Sequence, residues 1–338
     1  MPILGLGRKK SAGAAAPAAS TTPAWRRLTS ARSLEDHGDP VLASLLEIAV
    51  TRDWPALRAA LQPYRGHDLS SLISDVCDKK TDLVEWVPQD GSDALAQAVL
   101  GSDAIRRGWR VRTSAGAQNV SQDQFKEFHR LLAAAEDHLY ASIELDPALA
   151  APWYFLVITS RGLQVEFDVR WRRFDALVAR CPEHLGGHRQ MLQNLCEKWS
   201  GSHEQMHEFA TAAMHGEHGG QLAELVPDGH LEHWHRLGDK QGGREYMQQP
   251  HVRAELLEAS ELTIFRPGYS GSPRSPYWAA NLFAMAFALS GLWQASMRAF
   301  EITDGVVEAR WNYMNSRQPE TLYTNWRNHV RQLQKASS

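Results

Sequence analysis

Cysteine is scarce in this chain: Cys77, Cys181 and Cys196 are the only three in 338 residues. So small and odd a set excludes a disulfide framework and makes the reducing cytoplasm the expected location. A surplus of either charge is also missing. The 36 Lys and Arg face 39 Asp and Glu, for a net charge of -3. No global basic field draws the chain to nucleic acid or to an acidic membrane, so neither is an expected partner. Alternating apolar and polar runs are rare, and Trp109–Arg112 is the best short strand candidate. The patterns G-x-x-x-x-G-K-[ST], G-x-G-x-x-G, G-x-S-x-G and C-x-x-C do not occur. Their absence removes the signatures of phosphate loops, dinucleotide folds, serine-hydrolase elbows and dithiol redox sites, and no cofactor is expected.

Long uninterrupted apolar runs are missing too. The stretch Ser275–Met297 carries no charge, but Asn281 and the Ser290-Gly291 pair interrupt it. A membrane span needs roughly 20 continuous apolar residues, so this reads as a buried helix followed by a turn. At the N-terminus, the apolar residues of M-P-I-L-G-L-G-R-K-K precede the basic pair and are too few for a signal peptide. Residues 11–22 are Ala, Pro, Ser and Thr with a single Gly and no periodicity. A disordered tail over residues 1–35 and one helical domain over 36–338 follow from this.

Helical spacing dominates what remains. Leu42, Leu45, Leu46, Ile48 and Ala49 form one stripe, and Leu57, Ala60 and Leu61 form the next. Further helices are expected over 94–107, 122–145, 152–163, 170–180, 185–199, 204–214, 229–237, 252–264, 276–289, 292–302 and 319–334, divided by Gly, Pro, Asp and Ser. Ala135, Leu139, Ser142 and Pro147, followed by Trp153 and Leu156, fit the joint between two stacked helical hairpins of the tetratricopeptide type. Small residues there let helices approach while the aromatic fills the groove beside them. Ala284, Phe287, Gly291, Ser296 and Phe300 form a looser second match, without a kept period. The expected fold is all-α, an irregular tetratricopeptide-like array of antiparallel helical hairpins.

Longer runs carry a resemblance. Asp146-Pro147, A-P-W-Y-F-L, R-G-L, R-F-D-A-L and P-E-H-L-G-G-H-R-Q-M-L are followed by E-K-W-S-G-S-H-E-Q-M-H-E-F-A and N-L-F-A-M-A-F. Together they resemble an uncharacterised family of high-GC bacteria that looks like a tetratricopeptide-like helical domain. The resemblance spans residues 40–315 and implies the fold and a bacterial source. It carries no catalytic residues.

The sharpest chemical motif is His203-Glu204-Gln205-Met206-His207. H-E-x-x-H sets two imidazoles one helical turn apart with Glu204 placed to activate a metal-bound water, and Glu224 or Glu232 as third ligand. Gly201-Ser202 stands directly upstream, however, and Ser202 with Gln205 makes a capping-box pair, which puts His203 in the first turn. Glu208 follows the second His, and Ala210 and Ala213 occupy the extended-motif positions. A capped helix with exposed imidazoles is the preferred reading.

Cys181, His184, His188 and Cys196 are spaced too far along one helix to converge on an ion, and the cysteines read as small core residues. His230, Glu232, His233, Trp234 and His235 read as a polar helix end with an anchoring Trp, with a pH-responsive surface or adventitious metal binding as the alternative. Arg170-Trp171-Arg172-Arg173 reads as a solvated face with one buried Trp rather than a nucleic-acid contact.

Most tryptophans are expected to anchor hairpins. Trp153, Trp171 and Trp199 are the candidates to line a concave groove. The loop Arg266–Pro276, with Arg266, Tyr269 and Arg274, is long enough to touch a ligand or partner. The expected function is a non-enzymatic, cytoplasmic helical-repeat protein that binds a protein or peptide. The alternative is a zinc-dependent hydrolase built on His203, Glu204 and His207.

Overall fold

The computed structural model describes residues 31–33, 39–80, 82–113, 119–238, 241–272, 274–308, 310–314 and 318–336. The tail expected over 1–35 lies outside them, apart from residues 31–33. The first helices are α1 (Pro40–Val50), α2 (Trp54–Leu61), α3 (Gly66–Lys79), α4 (Ala94–Arg112), α5 (Gln122–Leu145) and α6 (Ala151–Gly162). Next come α7 (Phe167–Val178), α8 (Leu185–Asn194), α9 (His203–His215), α10 (Gly219–Leu222), α11 (Leu225–Leu237) and α12 (Gln241–Met247). The last are α13 (Pro250–Leu262), α14 (Trp278–Ser290), α15 (Trp293–Ile302), α16 (Trp311–Met314) and α17 (Pro319–Ala336). The only sheet among the described residues is a parallel two-residue pairing of β1 (Arg32–Ser33) with β2 (Val306–Val307).

Local chemistry sets the helix starts. The Asp39, Asp53, Asp93 and Ser202 side chains accept from the first free backbone N–H groups of α1, α2, α4 and α9. Ser121 and Gln124 close a reciprocal capping box on α5. Trp109–Arg112, expected as a strand, is instead the last turn of α4, where Trp109 packs against Phe128 of α5 at 4.9 Å.

Successive helices pack on one another, α4 on α5, α5 on α6, α6 on α7 and α14 on α15. Small residues permit the closest approaches. A Cβ on Gly101 of α4 would lie 2.6 Å from Leu139, and the Ser142 hydroxyl donates to the Ala94 carbonyl at 2.7 Å. In α15, the Ser296 hydroxyl donates to the Ala284 carbonyl of α14 at 2.9 Å. Both expected joints therefore carry a serine-to-backbone bond between helices. The uncharged stretch forms α14, closed by Gly291 at φ 75°. Its Asn281 donates to Val306 O at 3.0 Å and accepts from Trp311 Nε1 at 2.9 Å, so the polar interruption is satisfied inside the core. No helix among the described residues is long and apolar enough to cross a membrane.

Arg274, from the loop before α14, closes the molecule at long range. Its guanidinium donates to Asp39 Oδ2 at 2.8 Å, Asp75 Oδ2 at 2.6 Å and Ser71 Oγ at 2.7 Å. It thereby ties α1 and α3 to a segment far along the chain.

Candidate functional site

Three cavities share walls through the middle of the molecule. The first, about 490 Å³, lies between the start of α3, α10 and the 266–272 loop, and is lined by His67, Glu224, Arg266 and Tyr269 among others. The second, about 380 Å³, shares His67 and adds Arg106, Arg161, Arg189, Trp278 and Arg310. The third, about 800 Å³, shares Arg161 and Gln193 with the second and is walled by Trp109, Arg112, Phe128, Lys198 and Trp199. Together they make a trench rich in cations within a chain of net charge -3.

Four of those cations are neutralised in place. Arg189 Nε donates to Glu224 Oε1 at 2.8 Å, Arg310 Nε donates to Asp228 Oδ1 at 2.7 Å, and Arg106 lies 3.5 Å from Asp78. Lys198 contacts Glu232. Burial opposes the charged form of Glu232, but Lys198, Arg310 and the Tyr313 hydroxyl outweigh it and hold the carboxyl down at about 2. Glu308 differs. It is 8% exposed, neither carboxylate oxygen has a hydrogen-bond partner, and burial pushes it up to about 7 against the pull of Arg189.

Arg161 differs in the other direction. Its Nη1 donates to Gln190 Oε1 at 3.0 Å, its buried Nε has no partner, and no carboxylate among the described residues pairs with it. The guanidinium lies over Trp109 at 5.3 Å and Trp199 at 5.4 Å, two rings set edge to face at 6.1 Å. Burial lowers Arg161 only to about 10, so it stays a cation at neutral pH. Arg170 positions one wall by donating to the Trp199 carbonyl at 2.8 Å.

A second site lies on the far side of α11. His203, His207, His230, His233, Tyr246, His251 and Glu255 line a cavity of about 550 Å³. His203 and His233 stack at 3.6 Å with planes 9° apart, and His207 Nε2 lies 3.1 Å from His233 Nδ1. The Tyr246 hydroxyl sits 2.6 Å from His230 Nδ1 and 3.0 Å from His207 Nε2, and His230 Nε2 lies 2.9 Å from Glu255 Oε2. With neutral rings, one proton placement serves the three contacts from Glu255 through His230 and Tyr246 to His207. His230 donates to Glu255, Tyr246 to His230, and His207 to Tyr246. Burial, reinforced by neighbouring imidazoles, pushes His207 down to about 2 and His233 down to about 4.

Of the hydrolase constellation, His203, Glu204 and His207 line this one cavity, while both candidate third ligands lie elsewhere. Ser202 caps α9 as expected, but His207 is drawn into the imidazole cluster rather than exposed. Glu224 is held by Arg189 and Glu232 by Lys198, both in the trench, while Glu204 is exposed. Among the described residues, no three His, Cys, Asp or Glu side chains group to hold a metal ion. His184 Nε2 lies 3.0 Å from Ser70 Oγ, but Nδ1 of that ring accepts from Gly187 N. The ring therefore donates to the hydroxyl and does not activate it.

Other expectations are corrected. His230 and Glu232 are buried in the body of α11, while its last turn is polar, with His235 and Arg236 exposed beside the buried Trp234. In Arg170–Arg173 the burial is inverted. Arg170 and Arg173 are buried and Trp171 is 37% exposed, because Arg173 makes a two-point contact with Glu136 of α5 at 2.7 and 2.9 Å. Of the candidate binding residues, Trp199, Arg266 and Tyr269 line the trench. Trp153 instead packs under Arg180 at 5.0 Å, and Trp171 packs against Phe174 and Phe209.

Arg161, Arg189 and Arg310 were not among the residues the sequence singled out. A signal existed for two of them. Arg161 falls four residues after Val157, and Arg189 falls four after Leu185 and three before Leu192, so each places a charge on an apolar stripe. No protein-family model matches the chain, and no curated protein matches it.

Proposed function

We propose that the protein is a non-enzymatic binding protein whose trench takes an extended segment of a partner protein. The carrying observation is the run of three wall-sharing cavities, reached from one end by Arg266 and Tyr269 and from the other by Trp199. Grooves of this kind are the usual binding surfaces of helical arrays. We read the helices as an irregular tetratricopeptide-like stack of antiparallel hairpins. The close approaches at Gly101–Leu139 and the serine-to-carbonyl bonds at Ser142 and Ser296 support that reading. Three buried free thiols fit a reducing cytoplasm.

The test is selection of random dodecapeptides on the purified chain, followed by titration of the winners. Peptides should bind, and Gln193→Trp, which fills the wall between the second and third cavities, should abolish binding while leaving the fold intact by circular dichroism. Failure to select any binder, or binders indifferent to Gln193→Trp, would overturn the proposal.

A further inference from the structure

We infer that the compartment formed by Trp109, Arg161 and Trp199 is an oxyanion subsite, reading an acidic or phosphorylated side chain on the bound segment. The inference rests on the trench reading above and deepens it.

Charge complementarity carries the argument. Arg189, Arg310, Arg106 and Lys198 each face a carboxylate, whereas Arg161 faces two indole rings and one amide oxygen. Among the described residues, no Asp or Glu lines the 800 Å³ cavity that Arg161 enters. The buried Arg161 Nε has no hydrogen-bond partner. A guanidinium offers five N–H donors in a planar fork that matches the two oxygens of a carboxylate or phosphate. Here the fork is held before any ligand arrives. The rings of Trp109 and Trp199 cover its face, Gln190 fixes one edge, and Arg170 pins the Trp199 backbone. Gly162, next along α6, keeps the wall tight, since a Cβ there would lie 2.3 Å from Leu132 and 2.9 Å from Phe128. A charge already removed from much of its water, oriented and unneutralised, gains most from an incoming anion. The phenyl walls Phe125 and Phe128 suit an apolar neighbour of that anion on the same segment.

The experiment uses the full chain and the dodecapeptides selected above, read by fluorescence anisotropy. Winning peptides should carry Asp or Glu. Changing those residues to Asn or Gln should weaken binding about 10- to 100-fold, the range for one charge-assisted contact. Arg161→Gln should cause a similar loss, and combining it with the peptide change should add little further. Arg161→Lys, which keeps the charge and loses the fork, should fall between; it also serves if the Gln variant does not fold. Phosphoserine in place of the acidic residue separates the two sources. Tighter binding assigns a phosphorylated partner, and weaker binding assigns an acidic one. Peptides without acidic residues that need Gln193 space but ignore Arg161→Gln would sink the subsite and spare the trench. No peptide binding at all would sink both. A single-stranded oligothymidylate that binds more tightly than every peptide would also overturn the inference.

Discussion

One helix separates two opposite treatments of buried polar groups. On α11, Asp228, Glu232 and His235 share the face turned to the trench, while His230, His233 and Leu237 share the face turned to the histidine cavity. The trench face keeps permanent charges and balances them with guanidinium or ammonium partners. On the histidine face, burial and neighbouring imidazoles disfavour the protonated forms of His207 and His233. The first arrangement is most sensitive to removal of one partner, and the second to acid.

Acid separates the two most strongly. An unfolded imidazole takes its proton near 6.5, whereas His233 in the folded chain waits until about 4 and His207 until about 2. Between those values the unfolded state binds more protons. Stability is therefore fully present above 6.5 and falls as pH drops, by about 1.4 kcal/mol per pH unit for the buried His207 and by less for His233, which solvent partly screens. His67, held down at about 4, and His184, at about 3, add to the same slope through burial. Urea titrations at pH 7, 6 and 5 should show a steep loss, and a flat profile would remove the distinction between the faces.

On the trench side, Asp228→Ala leaves the Arg310 charge buried without its carboxylate and should destabilise by about 3–5 kcal/mol in urea. Converting the pair to Asn and Met together should recover much of that. Next in size, Tyr246→Phe removes the hydroxyl that serves His230 and His207, at a cost of about 1–3 kcal/mol at pH 7. The smallest effect belongs to Glu308. Its folded-state pKa is raised to about 7, so the stability tied to its protonated form is present below 4.5 and lost as pH rises through 7. Glu308→Gln should leave the protein at least as stable at pH 8 as the parent, by thermal melting, while leaving the acid limb unchanged.

The sequence showed more of the helices than of their pairings. Helix α5 is legible over its full Gln122–Leu145 length because capping and stripe agree. Helix α3 was missed because Ser70 and Ser74 interrupt its apolar stripe, yet both are buried. A Ser that hydrogen-bonds the preceding turn, as Ser70 does to Gly66 O at 2.9 Å, is tolerated inside a core. The histidines were visible as two separate patterns, H-E-x-x-H and H-x-x-H. Their meeting depends on α9 packing against α11, which neither segment encodes alone. Arg173 was read as solvated for the same reason, since Glu136 lies 37 residues away in sequence.

The Arg274 clamp has a consequence in time as well as in space. During synthesis, Asp39 emerges 235 residues before its guanidinium. At roughly 5–20 residues per second it waits on the order of 10–50 s. For that interval α1 and α3 carry Asp39 and Asp75 facing water. The contact that locks the first helices in place is thus available only once most of the chain has left the ribosome.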